Sequence, residues 1–174
     1  VVSMAAPFAY GSSSGGMGGG GMGGGGMGGG QSSDGASLHK KSAEQIAAQS
    51  YNAGLNHKKR ALQFEEKAAA AKDEKERDKQ LAKAKEAWDD AIADYKKAIG
   101  ANHRAYQAMN ELGYAFRKTG DYQSSIKSYD AALSVRGDFM PAVEYRGEAY
   151  LALCMLYKFK EAYREVFLYD QDHA

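Results

Sequence analysis

Gly113 and Gly147 lie at like places in two successive stretches of similar helical pattern, and that recurrence confines the chain to a stack of similar units. A unit of this length cannot bury its apolar side alone, so neighbouring units must pack on one another to close a core. From Ser42 to Leu168 the breakers are few: Gly54, Gly100, Gly113, Gly120, Gly137, Pro141 and Gly147. The segments between them carry apolar residues at three-and-four spacing, which predicts an all-α domain. One globular domain is all that 174 residues support here.

Ala47, Tyr51, Gly54, Leu55, Leu62 and Phe64 mark one face of a first helix over about 42–71, with Ser42 and Gln45 spaced as a capping box. The run Lys72 to Lys79 holds no apolar residue. It reads as the turn of a helical hairpin or as the wet middle of one long helix, and the hairpin is the better reading. The return helix then carries Leu81, Ala84, Trp88, Ala91, Ile92, Tyr95, Ala98 and Ile99, and ends at Gly100.

Beyond it, Met109, Leu112, Gly113 and Phe116 fall on one helix, and Gly120, Tyr122, Ser125, Ile126, Tyr129, Ala132 and Leu133 on a turn and a second helix. This pattern resembles the tetratricopeptide repeat, and the interval from Gly113 to Gly147 matches the period of that family. Small residues such as Gly113 and Ala132 let two antiparallel helices approach closely while Phe116 and Tyr129 fill the gap beside them. A second unit has Val143, Gly147, Tyr150, Phe159, Tyr163, Val166 and Phe167. It departs from the pattern: Arg146 takes the leucine position, Cys154 the turn glycine, and Phe159 a position that is normally small. Gly137 and His103 stand where the family often has proline. Upstream, Tyr51, Ala53 and Gly54 with Ala91, Tyr95, Ala98 and Ile99 resemble a divergent unit with about 25 extra residues between its halves, as two lengthened helices would give. The resemblance implies a right-handed α-solenoid of tetratricopeptide-type hairpins. Its organisation is a divergent first hairpin over 38–105, a repeat over 106–139 and a degenerate repeat with the C-terminus over 140–174.

The remaining residues are of another kind. Fifteen of the 21 glycines fall between Gly11 and Gly35, and the first 37 residues hold one charged side chain, Asp34. Residues 16–30 are three copies of GMGGG, which place Met17, Met22 and Met27 five apart. Glycine loses the most backbone entropy on ordering, and three methionines bury too little to offset it, so 11–37 reads as a low-complexity arm without regular structure. It reads as a spacer, or as a segment that orders on a partner through its methionines; by the coil relation it reaches roughly 30 Å. No phosphate-loop motif accompanies the glycines. The apolar segment 1–10, VVSMAAPFAY, has no initiating Met and no basic residue ahead of it. It reads as the end of a signal peptide or, preferably, as a retained segment that covers a surface, which places the protein as secreted, extracellular or periplasmic.

Composition and spacing exclude much chemistry. With 23 basic and 22 acidic residues interspersed there is no basic field for phosphate backbones, so nucleic acid is not an expected partner. No apolar run reaches the roughly 18 residues of a membrane span. Cys154 is the one cysteine, which rules out an intrachain disulfide or a CxxC site, and it reads as a small buried residue in a helix. His39, His57, His103 and His173 lack metal-site spacing, adjacent Asp89 and Asp90 point about 100° apart on a helix, and no nucleophile motif is present. No enzyme activity, cofactor or metal is expected.

What the resemblance implies is a binding scaffold whose first helices line a concave groove. The matching positions are Tyr51, Leu55, Lys58 and Lys59; Gln107, Asn110, Tyr114, Arg117 and Lys118; and Glu144, Glu148 and Leu151, giving a groove basic on one side and acidic on the other. The Lys and Asn set with which co-chaperone members clamp a C-terminal carboxylate is not reproduced. The last helix is apolar on more than one side, with Phe159, Tyr163 and Phe167 among its large residues. Two functions follow as expectations. In the first, copies assemble head to tail, the last helix or the groove receiving Phe8, Tyr10, Met17, Met22 and Met27 of the arm or the first hairpin of a neighbour, as a ring, oligomer or extracellular filament. In the second, a monomeric adaptor binds a segment of another protein in its groove.

Overall fold

The computed structural model describes residues 41–172; the segments 1–10 and 11–37, with His39 and His173, lie outside them. Six helices follow one another: α1 (Ala43–Ala70), α2 (Glu74–Ala101), α3 (Tyr106–Lys118), α4 (Tyr122–Val135), α5 (Met140–Ala152) and α6 (Leu156–Asp172). They pair as three antiparallel hairpins, α1 with α2, α3 with α4 and α5 with α6, and the second helix of each of the first two packs on the first helix of the next. This is an all-α arrangement of paired hairpins resembling that of tetratricopeptide repeats, with an elongated first hairpin.

Ser42 and Gln45 form the capping box: the Ser42 hydroxyl accepts from the Gln45 N–H (3.1 Å), and the Gln45 side chain accepts from the Ser42 N–H (3.0 Å). Both α1 and α2 have 28 residues, about 42 Å each. The turn between them is only 71–73, so most of the charged run belongs to α2. Asp73 caps that helix through the Glu76 N–H (3.2 Å), and Glu74 and Glu76 sit in the first turn, where the helix dipole favours acids. Ala61, Ala68, Ala84, Ala87 and Ala91 are buried along the hairpin. Their small side chains let the long helices approach until Trp88, 2% exposed, fills the space between α2 and α3.

One contact sets the crossing of the first two hairpins. A Cβ at Gly54 would lie 2.5 Å from the ring of Tyr95, and one at Gly113 would lie 2.6 Å from the ring of Tyr129. Both rings are fully buried, and the interval between them equals that from Gly113 to Gly147. The third hairpin breaks the rule. A Cβ at Gly147 would meet Ala162 (3.3 Å) and Phe159 (3.8 Å) instead, while Tyr163, one more such interval beyond Tyr129, is 67% exposed. Helix α6 therefore turns Ala162 inward where α2 and α4 turn a tyrosine.

The turns of the second and third hairpins correspond. Gly120 has φ +85°, and Cys154, at the same place in the next unit, has φ +58°. Cys154 is exposed in a turn, which corrects its reading as a buried helix residue. Chain geometry at the turn, rather than the burial habit of cysteine, decides its place.

Candidate protein-binding surfaces

The first helices α1, α3 and α5 meet through their side chains, and Tyr114 lies at the centre. Its ring centroid is 5.8 Å from Trp88 and 5.8 Å edge-on from Tyr145. Lys58 Nζ stands 4.2 Å above it, and the Arg117 guanidinium lies 5.1 Å from it and 5.5 Å from Tyr145. The cations are held by acids from neighbouring helices. Lys58 Nζ donates to Glu111 Oε2 (2.7 Å), Arg117 pairs with Glu148, and Lys118 Nζ lies 2.6 Å from Glu65. Opposite charges are thus interlocked across the helices instead of being divided into a basic side and an acidic side. Trp88 Nε1 donates to the same Glu65 (2.8 Å), so this carboxylate ties α1 to both α2 and α3.

Of the residues expected in the groove, Lys58, Tyr114, Arg117 and Glu148 come together here. Tyr51 packs instead on the core between α1 and α2, its ring 6.1 Å from Tyr95, and burial followed by the Glu111 charge raises its phenol above the usual range. Leu55 lines a shallow hollow on α1 with Lys58, Lys59 and Leu62. Asn110 is 4% exposed, with Oδ1 buried and without a hydrogen-bond partner. Glu144 and Leu151 are exposed, as is Gln107. Glu65, Trp88, Glu111 and Tyr145 complete the cluster and are absent from the expected set. Their partners lie one or more helices away, so periodicity along a single helix carries no signal for them.

Arg146, at the leucine position, reaches Asp130 on α4 (2.8 Å) and Glu165 on α6 (3.7 Å). A charged bridge thus joins three helices where the second hairpin uses the apolar contacts of Leu112. The cleft beside it is lined by Arg146, Tyr150, Lys158, Glu161, Ala162 and Glu165. Among the described residues no cluster of His, Cys, Asp or Glu is arranged to hold a metal, and His57 pairs with Asp94 (3.0 Å) between α1 and α2. No described helix is long and apolar enough to cross a membrane.

The two ends of the stack are unlike. On α3 and α5 the sides turned to the preceding hairpin carry Ala108 and Ala142, and Ala115 and Ala149, all four at most 1% exposed. With Gly54 aligned on Gly113 and Gly147, the corresponding residues of α1 are Gln49 and Asn56, both exposed, and Asn52 stands in place of Tyr145. That end presents amides. At the other end α6 exposes Leu156 (57%), Tyr157 (74%), Tyr163 (67%), Phe167 (54%) and Leu168 (47%). Of the assembly residues expected in this helix, Tyr163 and Phe167 lie on the exposed stripe and Phe159 turns inward against Gly147. Phe8, Tyr10, Met17, Met22 and Met27 lie outside the described residues.

No protein-family model and no curated protein matches the chain. Among solved structures it is similar to the first tetratricopeptide domain of Spaghetti (RPAP3), determined with the HSP90 peptide SRMEEVD, at 22% identity over 63% of this chain and 78% of that one, with a TM-score of 0.46.

Proposed function

We propose that this chain is a non-enzymatic scaffold for protein–protein interaction that assembles with copies of itself outside the cytoplasm through the open side of its last hairpin. The observation that carries this reading is the run of five large apolar side chains, each about half exposed or more, along α6. At the equivalent places Tyr95 and Tyr129 are sealed, and Ile99 and Leu133, the counterparts of Phe167, pack into the core. Uncovered apolar area on this scale favours association. In the head-to-tail form the arm or the first hairpin of one copy enters this side of the next, giving an oligomer or an extracellular filament. The amide side of α1 suits that role poorly, because Gln49, Asn52 and Asn56 would lose water to an apolar stripe without gaining partners. The arm, or the same stripe of another copy, is the better occupant.

The adaptor is the second reading, and the aromatic floor of Tyr114 and Tyr145 favours it. Because Lys58, Arg117 and Lys118 are already paired with Glu111, Glu148 and Glu65, an extended segment with little charge suits the groove better than an acidic tail. Light scattering over a range of concentrations separates the two readings. Mass that rises with concentration in the full chain, and falls back with Phe167→Glu, supports assembly; loss on deleting 1–37 makes the arm the occupant. A monomer at every concentration leaves the adaptor.

A further inference from the structure

Given association of copies through α6, as read above, we propose that the occupant of the α6 stripe is the same stripe of a second copy. The two helices pack antiparallel about a two-fold axis near Arg164, the midpoint of the helix. Three observations converge on this pairing. The first is the mismatch of ends: α6 is apolar where α1 is amide-bearing, so stacking one copy's last hairpin on another's first buries polar groups unpaired, whereas α6 on α6 matches like surfaces.

The second is extent. Leu156, Tyr157, Tyr163, Phe167 and Leu168 run along most of the helix. From their exposures they offer on the order of 500 Å² of apolar surface per copy. With Lys160 and Arg164, which the helical period sets between Phe167 and Tyr157 around the helix, this approaches the roughly 800 Å² per partner of a standard interface. A reversible, concentration-dependent dimer follows.

The third is charge. Counted outward from Arg164, which lies on the axis, the first half of α6 holds Lys158 and Lys160 against Glu161, and the second half holds Asp170, Asp172 and Glu165, the last paired with Arg146 of its own hairpin, with no basic residue. This distribution runs against the helix's own dipole, since there is no acid in the first turn and no base in the last. An antiparallel neighbour sets the basic half of each helix against the acidic half of the other, whereas a parallel one sets like against like. The Gly/Met arm has nothing to offer these charges, because Asp34 is the one charged residue among the first 37.

Single cysteines in a full-length Cys154→Ser background test the geometry, with a short bismaleimide matched to the about 8–10 Å between packed helix axes. Both sites are exposed and leave the apolar stripe intact. Near the axis Arg164→Cys lies beside its own counterpart. Two turns further along, Gln171→Cys lies about 21 Å from its counterpart in an antiparallel pair, so Arg164→Cys yields about tenfold more covalent dimer. Equal cross-linking at both sites means a parallel pair and overturns the proposal. Failure of both, while light scattering still reports multimers, overturns the two-fold geometry and leaves self-association standing. A monomer at every concentration, in the variants and in the parent, removes both.

Discussion

Gly113→Ala adds one methyl group where α3 crosses α4, and the space for it is already taken. The new carbon would lie 2.6, 2.8 and 2.9 Å from Cε1, Cδ1 and Cζ of Tyr129, whereas carbon atoms settle about 3.5–4.0 Å apart. The ring must therefore retreat by roughly 1 Å. It has no exposed edge to retreat toward: Tyr129 is fully buried with Met109, Ala132 and Ala142, and Tyr145 stands 6.3 Å from its centroid. Overpacking of this kind costs about 1–3 kcal/mol, and an overlap with three ring carbons belongs toward the upper end. Replacing glycine inside a helix returns about 1 kcal/mol. The net expectation is a loss of about 1–2 kcal/mol, the steric cost exceeding the propensity gain.

Gly147→Ala is the control at the equivalent place in the third hairpin. There the nearest atom is Ala162 Cβ at 3.3 Å, a gap that a few tenths of an ångström relieve, so the propensity gain decides the sign and the variant gains about 0.5 kcal/mol. Urea unfolding followed by circular dichroism reads both. With a slope of about 1.5 kcal/mol/M, Gly113→Ala lowers the midpoint by about 1 M and Gly147→Ala raises it by about 0.3 M. Equal shifts in one direction, or a raised midpoint for Gly113→Ala, would refute the claim that an aromatic ring fills the cleft in one hairpin and not in the other.

Cys154→Gly relieves a left-handed backbone conformation that costs a residue with a Cβ about 1–2 kcal/mol, offset in part by glycine's greater unfolded-state entropy. A net gain of about 0.5–1 kcal/mol is expected in the same urea assay, and Cys154→Ala should show no such gain. Tyr95 and Tyr129 predict a loss of stability in alkali. Burial, joined at Tyr95 by the Glu111 charge and opposed at Tyr129 by the Arg117 charge, raises both phenols far above their usual value of 10. Their contribution is whole below pH 10, where folded and unfolded phenols are both neutral, and falls above it because only the unfolded chain releases the protons. Two such groups give a slope of about 2.7 kcal/mol per pH unit above 10. Absorbance at 295 nm should show these two tyrosines ionising only as the helices unfold; early titration of all twelve with the helices intact would contradict their burial.

The parts of the fold that were legible in the sequence are those in which a residue's role depends on its own helix and its nearest partner. Ser42 and Gln45 cap α1 because three-residue spacing is enough to close the box. Gly113 and Tyr129 are legible as a small residue and a ring on two closely packed helices, whereas the stacking of each ring directly on a glycine, Tyr129 on Gly113 and Tyr95 on Gly54, depends on how the paired helices are set in space. The start of α2 was harder to place, because charge alone does not separate a turn from a solvated helix: Lys, Glu and Arg are good helix formers, and Asp73 supplies the cap that starts the helix within the polar run. In the cluster around Tyr114, Lys58, Arg117 and Lys118 face outward by periodicity alone, but their pairing with Glu111, Glu148 and Glu65 depends on how three helices are set in space.

Helix α6 was the least legible, and the reason bears on what the protein does. Apolar residues at 156, 157, 159, 162, 163, 166, 167, 168 and 169 cover more than one face, so a helical period does not select the side that turns inward. Fit selects it. Gly147 is met by Ala162 and Phe159, and Arg146 draws Glu165 toward α5, so the helix settles with Ala162 inward and Tyr163 outward. A single hairpin has one inner side to cover, and this helix carries apolar residues enough for two. The surplus is not scattered, because Tyr163 and Phe167 occupy the places where Tyr129 and Leu133 receive the next hairpin. Under the self-association proposed above, this surface, continuous with the packing of the stack and at the end opposite the amides of α1, is where another helix would complete the core.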